Sequence, residues 1–354
     1  MKKLKLLSLF LVMGIFSCPI FNKTVSNVPV EIIKIKETKD IKLSYKPFIS
    51  NLCLDSNENF YFIDGNVIKK VDQKGNLTII AGKEEDDFYP EDGNIDGDLS
   101  TAKFGEIIKM NYVENEKLFY FVEKFKMKDN KDKYNYFARK LSNNKIETIY
   151  KIGNIDKKDN NSKNYRINFI SKEGEIYFEE YIRPNWSGMK ITKDNQVIKV
   201  EGSGNFLDYE GTFYSLRNES LDSYSEDYSL YVRVENKWKK IIDGTLIHHL
   251  LNISIDKNNN VYIVEDFFRQ NLDGDIMSNS YQPPLIHKIS KKNILELKEP
   301  LALYKKEFVI AELYGDDSIV SEHSIIVSED GNRLYGFNQF NSNNIVKVNI
   351  GSKK

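Results

Sequence analysis

The 354-residue chain holds four histidines, and three of them have a setting in which they could do chemistry. His248 and His249 are adjacent, and His323 follows Glu322. An imidazole near a carboxylate can move a proton near neutral pH or ligate a transition metal. A second pattern is Asp92-Gly93-Asn94-Ile95-Asp96-Gly97-Asp98. Oxygen donors at alternate positions around a Gly bend suit a hard cation, so Asp92, Asn94, Asp96 and Asp98 are candidate calcium ligands. Position twelve is Lys103, where a helix–loop–helix calcium site needs a bidentate Glu, and a metal-free turn is the preferred reading. Calcium is thus the one candidate cofactor. No Gly-rich phosphate loop, nucleophile elbow or paired-Cys zinc motif occurs.

The N-terminus carries different chemistry. Lys2, Lys3 and Lys5 precede an apolar run from Leu6 to Phe16. Such a run, about eleven residues long, is too short for a bilayer and suits the core of a signal peptide. Ile15-Phe16-Ser17-Cys18 resembles the lipobox of bacterial lipoproteins. That resemblance implies a signal peptide over 1–17, acylation of Cys18, and a tether over 18–29. It also implies an exported chain held by lipid at the cell membrane or outer membrane. The only other cysteine, Cys53, reads as a small buried hydrophobe. With 51 Lys plus Arg against 52 Asp plus Glu, no field of one sign favours nucleic acid as a partner.

What must position these groups is a repeat. An apolar run leads into a polar turn, then an apolar residue and Tyr. The pairs are Phe60-Tyr61, Phe119-Tyr120, Ile176-Tyr177, Phe213-Tyr214, Val261-Tyr262 and Leu334-Tyr335. The turns before them are rich in Asn, Asp and Gly, which tolerate tight-hairpin backbone angles. A second hairpin follows each pair, as in Ile68–Val71 and Leu77–Ile80. In the fifth unit this second hairpin is expected at Ile286–Ile289 and Ile294–Leu297. Strands such as Phe60–Ile63 are apolar at successive positions, so both faces must be covered.

Six four-stranded meanders of about 50 residues each, with both faces buried, predict an all-β fold: a six-bladed β-propeller over 30–350. The sixth unit ends after three strands. Val30 to Lys36 alternates apolar and polar residues and precedes the first full unit. It is expected to supply the missing strand and close the ring, because an unpaired edge invites aggregation.

The stretch Asp55-Ser56-Asn57-Glu58-Asn59-Phe60-Tyr61-Phe62-Ile63-Asp64, with Thr78-Ile79-Ile80-Ala81-Gly82 after it, resembles the NHL-repeat family. That family's propellers are mostly binding or scaffolding modules, with a minority of enzymes on similar frames. Fold alone does not choose between them.

In this strand order the long segments share one face: Lys83–Lys103, Lys124–Lys133, Arg217–Tyr228, Asp266–Pro284 and Lys298–Ser321. The first–second and third–fourth turns are short and lie on the other face. On the loop-rich face, at the axis mouth, Arg166, His249, Glu265 and His323 form the candidate ligand site. Adjacent strand residues point to opposite sides, so only one of His248 and His249 can join it. The positions three after each Tyr (Asp64, Glu123, Glu180, Arg217, Glu265 and Asn338) read chiefly as braces for the following turns. The functional expectation is a binding or scaffold lipoprotein that holds a protein, peptide or glycan. The rival is a cation-dependent hydrolase or lyase of the six-bladed lactonase type.

Overall fold

A carboxylate or hydroxyl begins most of the repeated turns and explains why they fold. In the computed structural model, Asp55 Oδ1 accepts the backbone N–H of Asn57 and Asn59, each at 2.9 Å, and Oδ2 accepts the Tyr61 hydroxyl at 3.0 Å. Asp256 repeats this with Asn258, Asn260 and Tyr262. Asp208 does so with Glu210, Thr212 and Tyr214. In these three turns the repeated Tyr is therefore a buried latch on its own turn. The structure describes residues 28–43, 50–82, 95–99, 101–127, 130–156, 164–182, 185–201, 204–218, 228–243, 252–265, 285–301, 309–312, 320–338 and 343–351.

These turns join the first two strands of six antiparallel sheets. Blade 1 runs Ser50–Leu54, Phe60–Asp64, Val67–Val71, Leu77–Ala81. Blade 2 runs Glu106–Val113, Leu118–Met127, Asn130–Ser142, Lys145–Asp156, with Gly97–Asp98 added at its outer edge. Blade 3 is Asn164–Ile170, Ile176–Ile182, Asn185–Ile191, Val197–Val200. Blade 4 is Phe206–Leu207, Phe213–Asn218, Tyr228–Val234, Lys237–Ile242. Blade 5 is Ile253–Ile255, Val261–Glu265, Leu285–Ile289, Val309–Glu312. Blade 6 is Val320–Val327, Arg333–Asn338, Asn344–Asn349 and, last, Val30–Lys34. The N-terminal strand does close the ring: Val30 pairs with Val348 and Lys34 with Asn344.

Cores lie between blades, as the apolar strands require. Phe60 and Phe62 of blade 1 meet Phe337 of blade 6 edge-on at 5.3 and 5.1 Å. Tyr61, Ile63, Phe119 and Phe121 fill the space between blades 1 and 2. Cys53 is buried there, and burial pushes its thiol up to about 12, so it is a packing residue.

Two expectations are corrected. The fifth unit does not form a strand at Ile294–Leu297. Ser290 caps a short helix, Lys291–Glu296, by accepting the Asn293 N–H at 3.2 Å, and Ile294 is buried from it. The fourth strand comes later, at Val309–Glu312. This puts a long third–fourth connection on the face expected to carry only short turns, where Lys291 bonds Glu210 and Thr212 of blade 4. Lys124–Lys133 is not a long loop either. The ladder of blade 2 continues through it, with Phe125 stacked on Phe137 at 5.2 Å and Lys124 paired with Glu106 at 2.7 Å.

Candidate binding site on the propeller axis

The first strand of each blade is the innermost, and six inner strands surround an open axis. A cavity of about 660 Å³ runs along it. Its wall takes Leu52 from blade 1, Lys109 and Asn111 from blade 2, Arg166 and Asn168 from blade 3, Asn205 from blade 4, Ser254 from blade 5 and Ile325 from blade 6. The wall is thus half apolar, with polar groups spaced around it, as ligand sites commonly are.

Hydrogen bonds between inner strands hold this wall. Asn111 Nδ2 donates to the carbonyls of Ile170 and Ser171 across the blade 2–3 boundary, at 3.2 and 2.9 Å. The Val327 N–H donates to Ser254 Oγ across the blade 5–6 boundary at 2.9 Å. Where blade 3 passes to blade 4, Asn205 Oδ1 accepts the Leu216 N–H at 2.8 Å. Gly204 precedes it, and a Cβ there would strike the carbonyl of Tyr214.

Three cations line the channel: Lys109, Arg166 and Lys172. Lys109 forms no hydrogen bond or ion pair with the described residues, and burial alone lowers its pKa. Burial also pushes Lys172 down to about 8, against the opposing pull of Glu329, Glu173 and Asp256. The Lys172 ammonium lies 3.3 Å from the centre of the Tyr209 ring, the next blade's turn. Arg166 has its side chain 62% exposed, with a carboxylate oxygen of Glu179 at 3.6 Å.

Of the four expected ligand residues, Arg166 alone has a described side chain, and it stands on the channel wall. His323 lies on the inner strand of blade 6 and Glu265 ends the second strand of blade 5, but their side chains are outside the described residues. His249, Asp92, Asn94 and Cys18 also fall outside them. Asp96 is described: its carboxylate accepts Arg139 Nη2 at 3.0 Å, the Thr148 N–H at 2.9 Å and the Thr148 hydroxyl at 2.8 Å. Asp98 pairs through its backbone with Lys145 at the blade edge.

In blades 1 and 2 the polar position after the repeated Tyr clamps the incoming link. Asp64 holds Lys69 at 2.7 Å, and Lys69 Nζ donates to the carbonyl of Lys42 on the link into blade 1. Glu123 holds Arg139 at 3.0 Å and accepts the Gly105 N–H at 3.0 Å. Arg139 in turn donates to the carbonyls of Lys103 and Ile95. Burial pushes Glu123 up to about 7, against the Arg139 charge and the Gly105 N–H. Lys69 stands opposite Phe62 in the ladder and Arg139 opposite Phe121. In blade 5 the fully buried His287 takes the same place opposite Ile263, two residues before Glu265. Sequence reading found the carboxylates of these pairs and missed the bases, which lie on the next strand. It also missed Lys109 and Lys172. Aligning the inner strands by their pairing partners would have set Lys109 beside Arg166.

Six sheets around an open axis define a six-bladed β-propeller. No family model matches the chain. An uncharacterized protein of Methanocaldococcus jannaschii is 22% identical over 188 residues, which cover 46% of this chain and 76% of that protein. Among solved structures, tricorn protease is similar at a TM-score of 0.48 and 13% identity, over 87% of this chain and 27% of that one. A gluconolactonase from Xanthomonas campestris is similar at a TM-score of 0.45 and 8% identity, over 92% of this chain and 90% of that one. Virginiamycin B lyase from Staphylococcus aureus gives a TM-score of 0.42 and 10% identity, over 91% and 99%.

Proposed function

We propose that the chain is an envelope-anchored binding lipoprotein, built on NHL-like blades, that holds part of a protein, peptide or glycan at its axis without altering it. The Ser17-Cys18 signal pattern supports the anchor. The observation that carries the binding reading is the axial cavity and its cationic wall. A cation-dependent hydrolase or lyase would hold its metal with oxygen ligands there. Among the described residues the charged groups on this wall are Lys109, Arg166 and Lys172, and no carboxylate lines it. Coulomb repulsion between these cations and a metal ion opposes a metal there.

The test uses the full chain, solubilised in detergent, on arrays of peptides and of neutral and acidic glycans. Leu207 lines the cavity on the inner strand of blade 4 and is half-buried, so Leu207→Trp fills space without opening a core. Binding that Leu207→Trp abolishes, with the bound molecule recovered at unchanged mass, is the expected result. Recovery of a cleaved product would establish the rival enzyme, and binding indifferent to Leu207→Trp would move the site off the axis.

A further inference from the structure

We infer that the axial channel seats one sugar ring, held by the side chains of Asn168 on blade 3, Asn205 on blade 4, and Asn252 and Ser254 on blade 5. This rests on the binding reading above and chooses the glycan among its ligands. Asn168 is the starting observation. It is 6% exposed and lines the channel. Among the described residues its carboxamide makes no hydrogen bond, and Oδ1 is buried without a donor. Buried amides are normally satisfied, so an unpartnered one on a cavity wall calls for an explanation. Asn168 also stands on a bulge. Ile167 pairs with Phe178 and Phe169 with Tyr177, which leaves Asn168 as an extra residue in the inner strand. Blades 2 and 5 have no extra residue at this level: Met110 and Asn111 pair with Phe121 and Tyr120, and Ile253 and Ser254 with Ile263 and Tyr262. A bulge re-aims a side chain, and bulges recur beside functional sites.

Three neighbours have unspent donors at the same height. Asn205 spends Oδ1 on the Leu216 N–H at 2.8 Å and the Ser215 hydroxyl at 3.3 Å, and its Nδ2 makes no bond among the described residues. Asn252 spends Oδ1 on the Ile253 N–H at 2.9 Å, and its Nδ2 is likewise left over. Ser254 Oγ accepts the Val327 N–H, so its own hydrogen remains to be donated. Phe206 pairs with Tyr214, as Phe169 does with Tyr177 and Ser254 with Tyr262. The four residues therefore lie within two ladder steps of the repeated Tyr in three successive blades. They follow an arc around the axis rather than a line along it. A compact ring can meet all four, whereas an extended peptide would follow one strand direction.

The chemistry of the arc agrees. Asn205, Asn252 and Ser254 can only donate, while the Asn168 carboxamide, by turning about its last torsion, presents either end. Each sugar hydroxyl accepts as well as donates, and the ring oxygen accepts. Across from the arc, Leu52 of blade 1 and Ile325 of blade 6 offer apolar surface to the C–H face of such a ring. About 660 Å³ is ample for it.

Calorimetric titration of the full chain, in a detergent without a sugar head group, tests this. The probes are glucose, galactose, N-acetylglucosamine and the peptide glycylglycine. At least one sugar should bind one to one, and glycylglycine should not. Asn168→Leu keeps the bulk of the side chain and removes the unpartnered amide. It should weaken sugar binding roughly five- to a hundredfold, because a ligand hydroxyl loses its buried partner, while the melting temperature holds or rises. Asn252→Ala, at a partly exposed position, should weaken binding as well, and it carries the test if Asn168→Leu fails to fold. Asn57→Ala, on an exposed turn, should leave binding unchanged. Failure of all three sugars to bind, or full-strength binding by a folded Asn168→Leu protein, overturns the inference. If arrays show a peptide that Leu207→Trp excludes and Asn168→Leu does not, the binding reading stands and the sugar inference falls. If nothing binds in either experiment, both fall.

Discussion

Tyr335, on the second strand of the last blade, donates its hydroxyl to the Glu58 carboxylate in the first turn of blade 1 at 2.6 Å, across 277 residues of sequence. Arg333 joins the same carboxylate at 2.7 Å. Below this polar seam, Phe337 packs edge-on against Phe60 and Phe62. The ring is therefore closed twice: by the strand Val30–Lys34 inside blade 6, and by this contact between blades 6 and 1.

Glu58→Ala should cost about 1.5–3 kcal/mol, because it removes a charged acceptor and leaves the Tyr335 hydroxyl buried without one. Tyr335→Phe should cost less, since Glu58 keeps Arg333. Deleting residues 28–36 should cost more than either and promote association, because Asn344–Asn349 becomes an open edge. Urea unfolding of the three variants checks the order. Equal midpoints for wild type and the deletion would contradict double closure.

Much of this fold is legible in the sequence because its signals are local. The Asp-x-Asn-x-Asn-x-Tyr spacing of Asp55–Tyr61 and Asp256–Tyr262 sets both the turn and the latch, and the apolar residue and Tyr after each turn let the blades be counted. The missing sixth fourth strand follows from the same count. The helix Lys291–Glu296 is less visible. Ile294 and Leu297 have a spacing that suits either a helix or a buried edge, and the Ser290 cap and contact with blade 4 decide it. The site was least legible of all. Lys109 stands out only when its strand is aligned with that of Arg166, and that alignment depends on ladder registers rather than on any motif.

The clamp on the second link makes a separate prediction. Arg139 is fully buried and binds Glu123, Asp96, and the carbonyls of Lys103 and Ile95. Glu123→Leu leaves that guanidinium short of its buried counter-charge, and should cost about 3–5 kcal/mol. Adding Arg139→Met should recover part of this loss, while freeing the link at 95–103. Denaturant unfolding with hydrogen exchange on those residues checks both halves. Additive losses in the double variant would show that the pair is not coupled.

The seam between blades 3 and 4 should open first. Among the described residues it is held by Phe213 against Phe169 and Tyr177, at 6.3 and 5.8 Å, and by Lys172 on Tyr209. The neighbouring boundaries carry clusters of eight or more buried residues. The inner strand of blade 4 is only Phe206–Leu207. Native-state hydrogen exchange should find lower opening energies for 213–216 than for 60–63. The reverse order would show that ring closure, not this seam, is the weak point.

Lys172 gives the expected pH dependence. Its folded pKa, about 8, is below its ordinary value of 10.5. Below pH 8 both folded and unfolded chains carry the charge, and its partial desolvation weakens the fold. Between pH 8 and 10.5 the folded chain loses the proton first, the unfolded chain binds more, and stability rises with pH. An NMR resonance of the methylated Lys172 amine should titrate near pH 8, and Lys172→Met should flatten that part of the stability profile. Titration near 10.5 would place the amine in bulk water.

The central claim is that the propeller axis is a binding site. Array binding by the wild-type chain beside Leu207→Trp tests it most directly. The account predicts a peptide or glycan that the wild type holds at unchanged mass and that Leu207→Trp no longer binds. A ligand bound equally by both proteins would contradict it.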